Sequence, residues 1–163
     1  MAISQIQSAS LASGVPASSN MPTGSVLQVV YGTYTTTTST TNGLASPVAT
    51  GLTATITPKF ATSKILIVAC HPQSTKGSTN ASTDIAFWIY KNGGAMIKYN
   101  SDLGYTATAN FNYCSSSFTY LDSPATTSST TYATYFANGN STGEAVNTNN
   151  SGISTITLME IAA

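Results

Sequence analysis

Residues 63–72 read Ser-Lys-Ile-Leu-Ile-Val-Ala-Cys-His-Pro. The apolar run at 65–70 is rich in β-branched side chains and too short for a helix, so it predicts a strand. A run with no polar position offers neither of its faces to water. Both faces are therefore expected to be buried, which places this strand at the centre of a sheet.

The segments on either side are shorter and alternate. Upstream, residues 24–34 (GSVLQVVYGTY) predict the first strand of the domain, with Val26, Gln28 and Val30 on one face and Leu27, Val29 and Tyr31 on the other. Residues 35–42 are nearly pure Thr and Ser and fit an edge strand or a loop. Leu52, Ala54 and Ile56 alternate with Thr53, Thr55 and Thr57, a half-buried strand that Pro58 ends.

Downstream, residues 73–82 are polar and contain Gly77, which predicts a loop. Residues 83–91 (TDIAFWIYK) predict a second apolar strand, and Asn92-Gly93-Gly94 is the strongest hairpin signal in the chain because positive φ costs little there. Residues 95–99 form its return strand. After a connection at 101–110, residues 113–122 (YCSSSFTYLD) place Phe118 and Tyr120 on one face, and Ser123-Pro124 closes the strand. Residues 130–137 and 153–161 predict the last two strands, separated by a long polar loop at 139–152. About eight strands joined by Ser, Thr, Asn and Gly predict an all-β fold, an antiparallel two-sheet sandwich that is jelly-roll-like, rather than an α/β enzyme.

A chain of 163 residues suits one domain and can bury a core without disulfides or metal. Charged residues make up only 6% of it, where about 25% is usual. Five lysines, no arginine and five acidic residues give a net charge of 0, so no nucleic-acid partner is expected. A free monomer this poor in charge lacks the repulsion that keeps colliding molecules apart, so the composition points to a member of an assembly. Cys70 and Cys114 are expected as small buried thiols, since their number and spacing suit neither a disulfide framework nor a zinc site. No cofactor or metal is expected. No apolar run reaches the roughly 18 residues of a membrane span, and residues 1–20 lack the basic start and apolar block of a signal peptide. Synthesis in a cytoplasm without export, and no membrane insertion, are the expectations.

Residues 1–24 carry Ile3, Ile6, Leu11, Val15 and Met21 among small polar residues, with Gly14, Pro16 and Pro22 blocking a helix. They read as an extended N-terminal attachment arm whose apolar side chains would dock in a partner's groove, followed by a β-sandwich knob domain at 25–163.

The succession GSVLQVVYGTY, GLTATITPKFATSKILIV, FWIYKNGG, YLDSPATTSSTTY and STITLMEIAA, spanning 24–163, resembles small virion structural proteins of tailed phages, cyanophage-like among them. The resemblance implies a jelly-roll knob used in tail fibres, head fibres or capsid decoration, usually as a homotrimer. The leader SQIQSASLASG similarly resembles the attachment segments that precede such knobs. A tail fibre has a long shaft where this chain has only its short leader, which shifts the expectation to decoration.

His71 is the only histidine, so any Ser-His-Asp or Cys-His arrangement must use it. Cys70 points to the opposite face of the strand, and no Gly-x-Ser-x-Gly elbow is present, so a structural His is expected and no catalytic residue is assigned. Asp84 and Asp102 are the residues that could pair for glycoside hydrolysis, with polar strand ends as the plainer account. Asp122, before Ser123-Pro124, is expected to cap a turn. Trp88 and Tyr90 share a face opposite Phe87 and Ile89, so both faces of that strand are apolar, and a neighbouring sheet or a second subunit must cover one. The latter agrees with a trimer and makes Trp88 and Tyr90 candidate trimer contacts.

Two functions follow as expectations. In the first, the chain is a capsid decoration (cement) protein of a virion assembled in the host bacterial cytoplasm, a homotrimer held to the major capsid protein, or to tail or portal proteins, by its arm. In the second, it is a short tail-fibre or head-fibre knob that recognises a host-surface glycan through loops 73–82 or 139–152. An exposed aromatic beside amides at the knob tip would mark the second. A hydrolase built on His71 ranks last.

Overall fold

The computed structural model describes residues 17–140 and 142–163, so Ile3, Ile6, Leu11 and Val15 of the arm lie outside the described residues. Among those described, ten strands form: β1 (Val26–Tyr34), β2 (Thr38–Thr40), β3 (Val48–Ile56), β4 (Lys64–Lys76), β5 (Ile85–Lys91), β6 (Gly94–Leu103), β7 (Asn112–Asp122), β8 (Thr130–Asn138), β9 (Val146–Thr148) and β10 (Ser154–Ile161). They pair into two antiparallel sheets.

One sheet runs β1-β10-β4-β7, extended by β9 beside the end of β4 and by β2 beside β9; the other runs β3-β8-β5-β6. The first strand lies against the last, and the chain crosses between the sheets so that eight principal strands make two interlocked Greek keys. That winding is a jelly roll. It closes the sandwich around Leu52, Ile56, Ile65, Ile67, Phe87, Ile89, Phe118, Tyr132, Phe136, Ile156 and Leu158, all buried. Each such large apolar side chain contributes about 1.5–3 kcal/mol on removal from water.

β4 is central, as its sequence predicts, with β10 on one side and β7 on the other. Only one of its faces is fully covered, however. Ile65, Ile67, Ala69 and His71 point into the sandwich, whereas Leu66, Val68 and Cys70 are half-buried on the outside. The expectation of burial on both faces is corrected for a simple reason: a two-layer fold has a second sheet on one side only.

β4 also continues past Pro72 to Lys76, through residues expected as a loop. Proline lacks the N–H a ladder needs, and here none is asked for. The register with β7 shifts between His71 and Ser74, and on the other edge pairing passes from β10 at Cys70 to β9 at Ser74. A bulge at the break between two partners is where a strand proline is tolerated. β9 itself falls inside the predicted loop 139–152. Val146 is the lone large apolar residue of that strand, too little for a periodic signal.

The segment before β1 packs onto the sandwich. A single 3-10 turn at Ser18–Asn20 leads to Gly24, whose N–H donates to the carbonyl of Ala162, while Ala162 N–H donates to that of Ser25. Lys59 Nζ donates to Ser18 Oγ at 3.0 Å and to the Leu27 carbonyl at 3.2 Å. Met21 lines a small recess there with Phe60, Thr62 and Ala162.

Candidate functional site

His71 sits at the inner end of the core rather than at a loop. It is wholly buried and stacks on Phe87. Nδ1 lies 3.0 Å from Ser154 Oγ, 3.2 Å from Thr148 Oγ1 and 3.3 Å from Asn149 Oδ1, and Nε2 lies 3.1 Å from Thr134 Oγ1. The Asn149 amide nitrogen donates to the carbonyls of Thr36 and Thr50, which leaves its oxygen facing the ring. Nδ1 therefore carries the proton and Nε2 accepts from the Thr134 hydroxyl. Burial pushes the pKa of His71 down to about 4. A neutral imidazole with both nitrogens committed and no exposed atom ties β4, β8 and β10 together. It is not placed to meet a substrate.

Asp84 and Asp102 do come together, across the ends of β5 and β6. Burial first, then the hydrogen bond to Asp102 and its charge, raise Asp84 to about 6. The Asn140 amide donates to Asp84 Oδ2 at 2.6 Å, and Lys98 opposes the rise. A buried carboxyl with a second acid nearby is held toward its neutral form. Asp84 is buried just before β5, with no partner for its Oδ1 among the described residues, and Asp102 is exposed near the end of β6.

Asp122 does not cap a turn. Its carboxylate accepts from the Tyr132 hydroxyl at 2.6 Å and pairs with Lys91 Nζ at 3.0 Å, because Asp122 is still in β7 with its side chain turned toward the other sheet. The cysteines are free and half-buried rather than buried, Cys70 because it faces outward and Cys114 because it lies at the first turnings of β7. Burial raises the Cys114 thiol to about 11.

Trp88 and Tyr90 share the outer face of the four-stranded sheet. Trp88 finds cover within the chain, where Ala86 and Ala137 pack nearby and Lys98 Nζ lies 5.7 Å from its ring centroid. Tyr90 stacks on Tyr135 at 3.7 Å between centroids, and both stay half-buried.

The larger uncovered apolar area is on the opposite side. Register places Val29 beside Met159, Met159 beside Leu66 and Leu66 beside Leu121, so one apolar row crosses all four main strands of the larger sheet on its outer face. The next row holds Tyr31, Thr157, Val68 and Thr119. Val29 is 57% exposed, Tyr31 62% and Leu121 48%. Isolated exposed apolar residues are ordinary, but a row continuous across a sheet is the kind of patch that marks an interaction surface. It lies toward the end where β1 starts and β10 finishes, the end at which residue 17 joins the sandwich. The sequence hints at it through the outward set Leu27, Val29 and Tyr31, but which residues stand beside them depends on register.

No protein-family model matches the chain, and no curated protein matches it. Among solved structures, the infectious bursal disease virus VP2 subviral particle is similar at 13% identity and a TM-score of 0.38, covering 85% of this chain and 38% of that one. The infectious bursal disease virus Gx strain structure is similar at 14% identity and a TM-score of 0.35, covering 85% and 39%. The chain thus spans well under half the length of the solved chains it matches, and a likeness this distant carries nothing about its function.

Proposed function

We propose that the chain is a structural protein of a virion, a capsid decoration protein that docks on the major capsid protein through the outer face of its larger sheet and through its arm. The observation that carries this reading is the row Val29, Met159, Leu66 and Leu121. A charge-poor chain with a continuous apolar row has a surface suited to burial against a partner, and none of the four residues of the row is charged. The arm joins the sandwich at the same end, so both elements would address one partner. The homotrimer uses the other side of the sandwich, where Tyr90 and Tyr135 stay available to a neighbouring copy beside the covered Trp88. The resemblance to phage knobs supports the same reading.

The test is co-sedimentation of the purified chain with particles lacking it, comparing wild type with a Leu66→Glu/Leu121→Glu double variant. The expected result is saturable binding of wild type and loss of at least about thirtyfold in the variant, the scale of interface hot spots, with an unchanged melting curve. Equal binding of the two proteins would overturn the surface. Wild type found only at a tail or single vertex by cryo-electron microscopy would replace decoration with the fibre-knob reading, which the exposed rings of Phe111 and Tyr113 favour.

A further inference from the structure

At the far end of the same outer face, the bulge in β4 opens a hollow of about 500 Å³ lined by Pro72, Gln73, Tyr113, Ser115, Ser151 and Gly152. Along β4, Leu66 and Pro72 are six residues apart, on the order of 20 Å, so the hollow is distinct from the apolar row. We propose that this hollow binds a neutral saccharide. The inference concerns a ligand site and does not depend on where the chain sits in a particle.

Three observations carry it. First, the lining holds no charged side chain, so the ligand it suits is uncharged. Second, Tyr113 is 58% exposed and Phe111, at 49%, meets it edge-on with centroids 5.0 Å apart. Tyr113 stands on the outward-facing side of β7 with Ser115, Ser117, Thr119 and Leu121. An exposed ring so placed gives the C–H face of a pyranose a surface to stack on. Third, polar groups stand free around it. Among the described residues, the side chains of Gln73, Tyr113, Ser115 and Ser151 make no hydrogen bond within the chain; Gln73 engages through its carbonyl, which accepts from Asn150 N–H. A side-chain amide that both donates and accepts, beside three hydroxyls, matches the vicinal hydroxyls of a sugar.

The backbone is committed to this shape. Asn149 and Ser151 both hold positive φ, 60° and 64°, which non-glycine residues adopt at a cost, and such strain gathers at binding sites. A Cβ at Gly152 would lie 2.7 Å from Pro72 Cγ, so the wall beside the hollow is already at contact. The hollow is shallow and open to solvent, which suits a saccharide held weakly along its floor.

The experiment is amide chemical-shift mapping on the full chain, titrated with tetrasaccharides of glucose, of galactose and of N-acetylglucosamine up to about 10 mM, the weak regime expected of a shallow neutral site. The expected result is that at least one produces saturable shifts confined to Gln73, residues 113–115 and residues 151–152. Tyr113→Ala would weaken that binding at least tenfold, and Tyr105→Ala, an exposed tyrosine outside the hollow, would leave it unchanged. Shifts centred elsewhere, equal binding by Tyr113→Ala in a folded protein, or no saturable shift with any of the three would overturn the proposal.

Discussion

The imidazole of His71 stacks on the ring of Phe87, with centroids 4.8 Å apart and planes 19° from parallel. In the unfolded chain that imidazole takes up a proton near pH 6.5, whereas folded it refuses one until about 4. Its contribution to stability is complete above pH 6.5 and is lost as pH falls toward 4, up to about 3 kcal/mol. His71→Leu cannot titrate and removes the ring nitrogens that face Thr134 Oγ1 and Asn149 Oδ1. Guanidinium unfolding should find the variant less stable at pH 7.5, with the gap to wild type narrowing by about 3 kcal/mol at pH 4.5. A gap that stays constant with pH would show that the ring is not held neutral by the fold.

Asp84 works in the opposite direction. Its folded pKa is raised from 3.8 to about 6, so its contribution is present below the lower value and is lost as pH rises through the higher one. Asp84→Asn keeps an oxygen for the Asn140 amide and removes the charge that burial and Asp102 oppose. It should be more stable than wild type at pH 8, by about 1 kcal/mol, and no different at pH 3.5. Thermal unfolding at the two pH values decides this, and a destabilised variant at pH 8 would mean that the pair carries no strain.

Glu160 is fully buried, and burial alone would raise its pKa. Hydrogen bonds reverse the balance: its carboxylate accepts from Gln28 Nε2 at 2.6 Å, Lys59 N–H at 2.7 Å and Phe60 N–H at 3.3 Å, and the net shift is downward. The stability it lends is present above its ordinary value of 4.5 and is lost as pH falls below it. Glu160→Gln turns an amide N–H₂ toward donors and should cost about 2 kcal/mol at pH 7, with fraying of residues 57–60 visible by hydrogen exchange. Unchanged protection at Lys59 and Phe60 would contradict this account.

Gly51 has φ of +92°, and a Cβ there would lie 2.2 Å from Tyr34 Cζ. This glycine sits where the pairing of β3 with β8 shifts register between Ala49 and Thr53. Gly51→Ala should cost about 2–4 kcal/mol from backbone strain and the clash together. In a Tyr34→Ala background only the backbone part remains, so the double-mutant cycle should give a coupling of at least about 1 kcal/mol. Full additivity would place the tyrosine elsewhere.

Strands whose periodicity is local are legible in the sequence. Leu52, Ala54 and Ile56 alternate with threonines and are all buried, and the turn at Asn92 and Gly93, both at positive φ, joins β5 to β6 as its sequence predicts. Pro72 misleads, because a rule about one strand says nothing of where its partners change. Val146 gives no periodic signal, because β9 has three residues and takes its stability from β4 and β2.

The fold class is written in the chain itself: charge scarcity, β-branched runs and turn residues are properties of short stretches, and they suffice for an all-β sandwich. Which faces are covered is decided only by the tertiary structure. Leu66 and Ile67 are adjacent and equally apolar, yet one is half-exposed and the other wholly buried. The same holds for Val29 beside Met159 and for Gln73 beside Ser151, residues brought together by cross-strand register and by a bulge. Register is set by many weak pairings acting at once, and no local pattern contains it.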